Sequence, residues 1–276
     1  MGRNWWHFPA LAGLVVWLGA GLAAAGDGPL RALENGDAAK GWQAVGRIEL
    51  DGRGFCTGAL IAPDLVLTAA HCLFDKTSGA PVPLSGLEFL AGWRNGRAEA
   101  YRRVRRGIVH PEYRYDAPDD IARVAHDLAL LQLEQAIRLP GLRPFETGDR
   151  PRMGAAVGVV SYAEGRSEAP SLQEVCHVLA GQPGVVMLSC AVDFGASGAP
   201  VFRVEGGVPR IVSVVSAKAA WNARPVALGS TLGASLALLQ AQLAAGEGGI
   251  AQSGPPPRQF GQGGARETGG ARFVRP

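Results

Sequence analysis

A succession of short apolar runs, each cut off within a few residues by Gly, Pro or Asp, constrains this chain more than any other feature. Runs of this length, punctuated this often, favour strands over helices. Ala44, Gly46, Ile48 and Leu50 alternate with Val45, Arg47 and Glu49, a period of two that gives a strand one mostly apolar face. Asp51-Gly52 then supplies a hairpin turn. Further strands are expected at 55–61, 65–68, 87–91, 101–109 and 128–133, and a second set at 155–161, 172–179, 185–190, 200–204 and 211–216. The 39 glycines suit a protein of many turns. The fold class is therefore all-β, a sandwich or barrels. The segment 134–154, with three prolines and few long apolar runs, divides the strands into two halves. One helix is expected after them: Leu232, Leu236, Leu239 and Leu243 recur at helical spacing, and Gly246 closes the pattern.

The two ends read differently from the middle. Arg3, the apolar stretch 11–20 and the small residues Ala23-Ala24-Ala25 form an export leader over 1–25. An arm follows over 26–41. Residues 246–276 are rich in Gly, Pro, Gln and Arg, bury little apolar surface and are expected to be a disordered tail. The net charge of +3 implies no nucleic-acid partner and no stable membrane association once the leader is removed. Export also places the four cysteines, Cys56, Cys72, Cys176 and Cys190, in an oxidising compartment where they pair. Four cysteines allow three pairings.

Chemistry concentrates in Asp193-Phe194-Gly195-Ala196-Ser197-Gly198-Ala199-Pro200. A serine between glycines after a strand is held on a tight, exposed turn, where small neighbours admit a substrate backbone and amide N–H groups can converge. A serine nucleophile needs an imidazole to take its proton and a carboxylate to orient that imidazole. Of the five histidines, His7 lies in the leader, and His110 and His126 have charged surroundings. His177 adjoins Cys176, but no second Cys/His pair lies nearby to complete a zinc site. His71 follows a buried-looking strand within Thr68-Ala69-Ala70-His71-Cys72.

Here a resemblance enters. The stretch 68–72 resembles the histidine motif of the trypsin/chymotrypsin family of serine proteases, and 55–61 resembles the strand before it. Val109-His110-Pro111-Glu112-Tyr113 resembles the segment leading to the family's aspartate, and 127–133 resembles the aspartate motif. Gly195 to Pro200 resembles the serine motif, and Ile211-Val212-Ser213 the strand lining the substrate cleft. The order His, Asp, Ser is the family's. An α/β-hydrolase elbow would need a histidine after the serine, and none follows Ser197.

The resemblance covers about 42–245 and implies two six-stranded antiparallel Greek-key β-barrels, about 42–140 and 150–230, with a C-terminal helix at 231–245. It implies Ser197 as nucleophile, His71 as general base, Asp127 as its orienter, and the N–H groups of Gly195 and Ser197 as an oxyanion hole. It implies a Cys56–Cys72 bridge, which leaves Cys176 with Cys190, and it places Ser213, Val214, Val215 and Asp193 at the substrate. The chain resembles bacterial trypsin-like and glutamyl-endopeptidase-like branches, because Ala196 stands where many animal members carry an aspartate. The basic run Arg102-Arg103-Val104-Arg105-Arg106 reads as a solvated strand edge. The function expected is an exported, monomeric serine endopeptidase of the periplasm or beyond. Its partners are protein or peptide substrates, and it uses no cofactor and no metal. The competing expectation is a catalytically silent secreted binding protein on the same scaffold.

Overall fold

The computed structural model describes residues 27–118, 120–247 and 249. The leader over 1–25 and the tail beyond residue 249 lie outside the described residues.

Six strands form a closed antiparallel barrel: β2 (Val45–Leu50), β3 (Phe55–Ala62), β4 (Leu65–Thr68), β5 (Leu87–Ala91), β6 (Ala100–Val109) and β7 (Ala129–Leu133), in the order β2-β3-β4-β7-β6-β5. The alternation expected in β2 appears as buried Ile48 and Leu50 beside half-exposed Arg47 and Glu49. Asp51 and Gly52 both take positive φ, 56° and 71°, as a two-residue type I′ hairpin turn requires.

The second half holds β9 (Ala156–Ala163), β10 (Arg166–Gln182), β11 (Val185–Leu188), β12 (Pro200–Glu205), β13 (Val208–Trp221) and β14 (Arg224–Thr231). They run β10-β11-β14-β13-β12-β9, and β9 pairs back onto β10, so these six also form a ring. Two short strands join from outside: β1 (Leu30–Ala32) on β10 and β8 (Glu146–Thr147) parallel to β13.

Several elements go beyond the sequence pattern. The strand β14 was not expected, because Pro225 and Gly229 interrupt its apolar run; pairing with β11 and β13 on both sides supplies what local propensity lacks. Its hairpin with β13 turns through Asn222 and Ala223 at φ 50° and 60°, without the glycine that marks such turns in a sequence. The arm contributes β1, and a short helix, α1 (Ile121–His126), precedes Asp127. Asp120 caps α1 by accepting from Arg123 N. The arginine run lies on β6, which is paired to β5 and β7 and so is no edge. Val104 points inward while Arg103 and Arg105 face out.

The connection over 134–154 is packed rather than loose: Ile137, Leu142 and Phe145 are all buried. Phe202 of β12 meets Trp42 and Phe145 at ring separations of 5.0 and 4.7 Å, so the interior of the first barrel continues into the contact between the two. A second cluster, including Val157, Val178, Leu188, Val201 and Val212, fills the other ring. The C-terminal helix α2 (Gly233–Ala245) buries Leu236 and Leu239. Gly246 ends it with φ 75°, and Glu247 N bonds Gln242 O, a Schellman closure. Arg106 of β6 donates to the carbonyls of Leu243 and Glu247 at this end, where the helix dipole favours a cation. Disulfides join Cys56 to Cys72 and Cys176 to Cys190.

Candidate active site

The cleft between the two barrels collects the singled-out residues from both. His71 sits on a 3₁₀ turn, Ala70–Leu73, immediately after β4, with Cys72 of that turn bonded to Cys56 of β3. Asp127 ends α1 and is buried. Its carboxylate is fully used: Oδ2 accepts from His71 Nδ1 at 2.7 Å, and Oδ1 accepts from His71 N at 2.8 Å. Ser216 Oγ donates to Oδ2 at 2.5 Å. An ionised carboxylate can only accept, so Nδ1 carries a proton, and in the neutral imidazole Nε2 is the acceptor. Burial works to raise the Asp127 pKa, but the charge and hydrogen bonds of His71 and the bond from Ser216 outweigh it, and the carboxyl is held below its ordinary range. Ser230 Oγ donates to Val124 O at 2.6 Å, tying α1 and hence Asp127 to the second barrel.

Ser197 lies on the second of two linked β-turns. Ala196 N bonds Asp193 O, and Ala199 N bonds Ala196 O. The third residue of each turn is a glycine with positive φ, Gly195 at 92° and Gly198 at 79°, the backbone a type II turn demands. At Gly198 a Cβ would also collide with Thr68 Oγ1 and Thr57 O. Gly198→Ala is therefore expected to cost at least the ~1–2 kcal/mol of a left-handed non-glycine residue, read as a fall in thermal midpoint of several degrees. Among the described residues, the N–H groups of Gly195 and Ser197 have no hydrogen-bond acceptor, whereas those of Ala196 and Gly198 do.

Two adjoining cavities of about 300 Å³ each make up the cleft. His71 and Asp127 line the first, Ser197 and Asp193 the second, and Ser216, Ala217 and Lys218 line both. Ser197 and His71 thus line adjoining parts of one cleft, and among the described residues no hydrogen bond joins the two side chains.

The substrate-side residues are placed differently from expectation. Ser213 and Val214 are fully buried, and Ser213 Oγ donates to Ser230 O at 2.8 Å. Val215 does line the second cavity, but the exposed cleft edge is 216–218, three residues beyond the matched segment 211–213. Val212-Ser213 and Val215-Ser216 are the same dipeptide, so local pattern cannot choose between them. A bulge in the β13–β14 pairing between Val215 and Ala217 decides, aiming Ser216 at Asp127. Sequence reading missed Ser216 for this reason. Asp193 is on the rim, half exposed, and paired with Lys218 Nζ at 3.3 Å. The Phe194 N–H first, and Lys218 next, hold its pKa low.

Among the described residues, the other histidines, His110, His126 and His177, do not line either cavity. His110 and His126 stack at 4.8 Å, with Glu112 on His126, and His177 bonds Asp27. Sulfurs of Cys56 and Cys72 lie near His71, but they are bonded to each other and offer no thiolate to a metal.

Residues 56–208 match the model of the trypsin-like peptidase domain. Over 129 residues the chain is 33% identical to complement C1r-B subcomponent of Mus musculus, covering 45% of this chain and 17% of that protein. Over 138 residues it is 30% identical to serine protease 56 of Homo sapiens, covering 49% and 21% respectively. The chain therefore spans only a small part of the length of these relatives. Among solved structures, a Glu endopeptidase in complex with MPD superposes with a TM-score of 0.64 at 16% identity, covering 80% of this chain and 98% of that one. That likeness bears on the fold.

Proposed function

The chain belongs to the trypsin-like peptidase family, and from that membership we propose an exported serine endopeptidase that cleaves protein or peptide substrates through an acyl-enzyme. The observation that carries this reading is the hydrogen-bonded His71–Asp127–Ser216 array in a cavity adjoining the one that Ser197 lines. Ser197 Oγ attacks the scissile carbonyl carbon while His71 Nε2 takes its proton. The Asp127 carboxylate stabilises the imidazolium and holds the ring in orientation. The carbonyl oxygen, now negative, is received by the free N–H groups of Gly195 and Ser197. His71 passes its proton to the leaving amine as the C–N bond breaks. Water, deprotonated by the same nitrogen, then attacks the acyl ester and releases Ser197.

The second cavity, beside Ser197, would take the substrate side chain. Its walls, Val192, Val215 and Ala217, are apolar, and the one carboxylate at its rim is already engaged by Lys218. A basic substrate side chain must compete with that lysine, so no strong preference for Arg or Lys is expected. The leader pattern supports export, and two disulfides suit an oxidising compartment.

The direct test is labelling of the purified mature protein with a fluorophosphonate, followed by peptide mapping, alongside hydrolysis of a mixed peptide library. Modification at Ser197 together with cleavage is the expected result. A folded protein that neither labels nor cleaves would instead be a silent scaffold.

A further inference from the structure

We infer that Thr57 is the positioning residue of the oxyanion hole, holding by uncharged hydrogen bonds the turn whose N–H groups receive the developing charge. This rests on the reading of Gly195 and Ser197 as the donors. Donors of this kind are effective only if they are fixed before the reaction begins. No carboxylate beside the serine fixes them here, since the preceding residue is the buried, apolar Ala196.

Thr57 is a fully buried threonine of β3, adjacent to the disulfide-bonded Cys56. Its Oγ1 donates to Gly195 O at 2.9 Å and accepts from Tyr162 N at 3.1 Å. Its own N–H donates to Ser197 O at 2.8 Å. One residue of the first barrel thereby grips the carbonyls of both residues whose N–H groups have no acceptor among the described residues. The preceding peptide is fixed as well, since Phe194 O accepts from Glu164 N at 2.7 Å. In a planar trans amide, a carbonyl tied to one side sends the N–H of the same unit to the other, which directs Gly195 N–H away from Glu164. The unit after it is held at both ends: Ala196 N–H donates to Asp193 O within the turn, and the Thr57 hydroxyl donates to Gly195 O from the first barrel. The Thr57 hydroxyl thus anchors to β3 a glycine whose own backbone no side chain restricts. Thr57 is in turn held by Thr68, whose Oγ1 donates to Thr57 O at 2.9 Å, on the strand that leads to His71. Imidazole, oxyanion donors and nucleophile are thus referred to one rigid pair of strands.

The test compares Thr57→Val, which keeps the shape and removes the hydroxyl, with Thr57→Ser, which keeps the hydroxyl. Each is measured for peptide hydrolysis, inhibition by a peptide aldehyde, thermal midpoint, and amide hydrogen exchange over 193–198. Thr57→Val should lower kcat by about 10- to 100-fold, less than outright loss of an oxyanion donor. KM should stay within about twofold, aldehyde affinity should weaken in parallel with kcat, and exchange over 193–198 should quicken. Thr57→Ser should restore kcat to within about threefold of the parent. The inference is overturned if folded Thr57→Val keeps its kcat, if its 193–198 exchange matches the parent, or if Thr57→Ser is as impaired as Thr57→Val. Should Thr57→Val fail to fold, loss of kcat in folded Thr57→Ser would overturn it equally. Hydrogen exchange does not depend on turnover. A parent protein without hydrolysis would sink the peptidase reading, while unchanged exchange would sink the latch alone.

Discussion

Ser197→Ala is expected to abolish peptide hydrolysis, with kcat falling by about 10⁴–10⁶, while the fold is untouched. The size of the loss follows from what alanine lacks: without Oγ no acyl bond forms, and neither His71 nor the oxyanion donors can substitute for a nucleophile. The stability half of the prediction follows from the turn. Ser197 contributes its carbonyl to Thr57 N, and both flanking turns close through backbone atoms, all of which alanine retains. Among the described residues the hydroxyl makes no hydrogen bond, so its removal should change stability by no more than ~0.5 kcal/mol. Purified Ser197→Ala should therefore unfold at the parental temperature, resist fluorophosphonate labelling and leave a fluorogenic peptide intact. Residual hydrolysis above a hundredth of the parent rate would place the nucleophile elsewhere.

Asp127→Asn is the second large effect, about 10⁴ in kcat, and it also tests the electrostatics. The two carboxylate oxygens accept three bonds, from His71 N, His71 Nδ1 and Ser216 Oγ. An asparagine has one oxygen and one NH₂ in the same space. If the NH₂ faces the imidazole, Nδ1 must accept, the ring proton moves to Nε2, and the base can no longer take the serine proton. If the NH₂ faces the His71 amide, two donors oppose each other in a buried site, at a cost of about 1–3 kcal/mol. Either placement loses activity, and thermal unfolding distinguishes them.

The acid limb gives a further readout of the same variant. The folded pKa of Asp127 lies below its unfolded value, so its charge contributes stability that is present above the unfolded pKa. That stability is lost as pH falls through the folded one. Asparagine cannot titrate, so the stability gap between parent and variant should narrow steadily on acidification. A gap independent of pH would mean that the carboxylate's charge contributes nothing.

Much of this architecture is local in origin. The period-two alternation of 44–50, the Asp51-Gly52 turn, the leucine spacing closed by Gly246 and the small-residue surroundings of His71 and Ser197 are all set by neighbouring residues, and a chain carrying them is committed to short strands, one terminal helix and an exposed serine turn. The long-range partners are another matter. Whether Ser213 or Ser216 reaches Asp127 depends on a bulge between β13 and β14, and the interrupted run 224–231 is a strand only because two neighbours hydrogen-bond it. The arginine run lies on a strand paired on both sides, with Arg103 and Arg105 on its outer face, because β5 and β7 flank it. The bond from Thr57 to Gly195 joins residues 138 positions apart. Periodicity, turn chemistry and charge act over a few residues and are written in the order of the side chains; register, bulges and cross-barrel hydrogen bonds exist only once distant backbones have met, and the packing of the two barrels decided them.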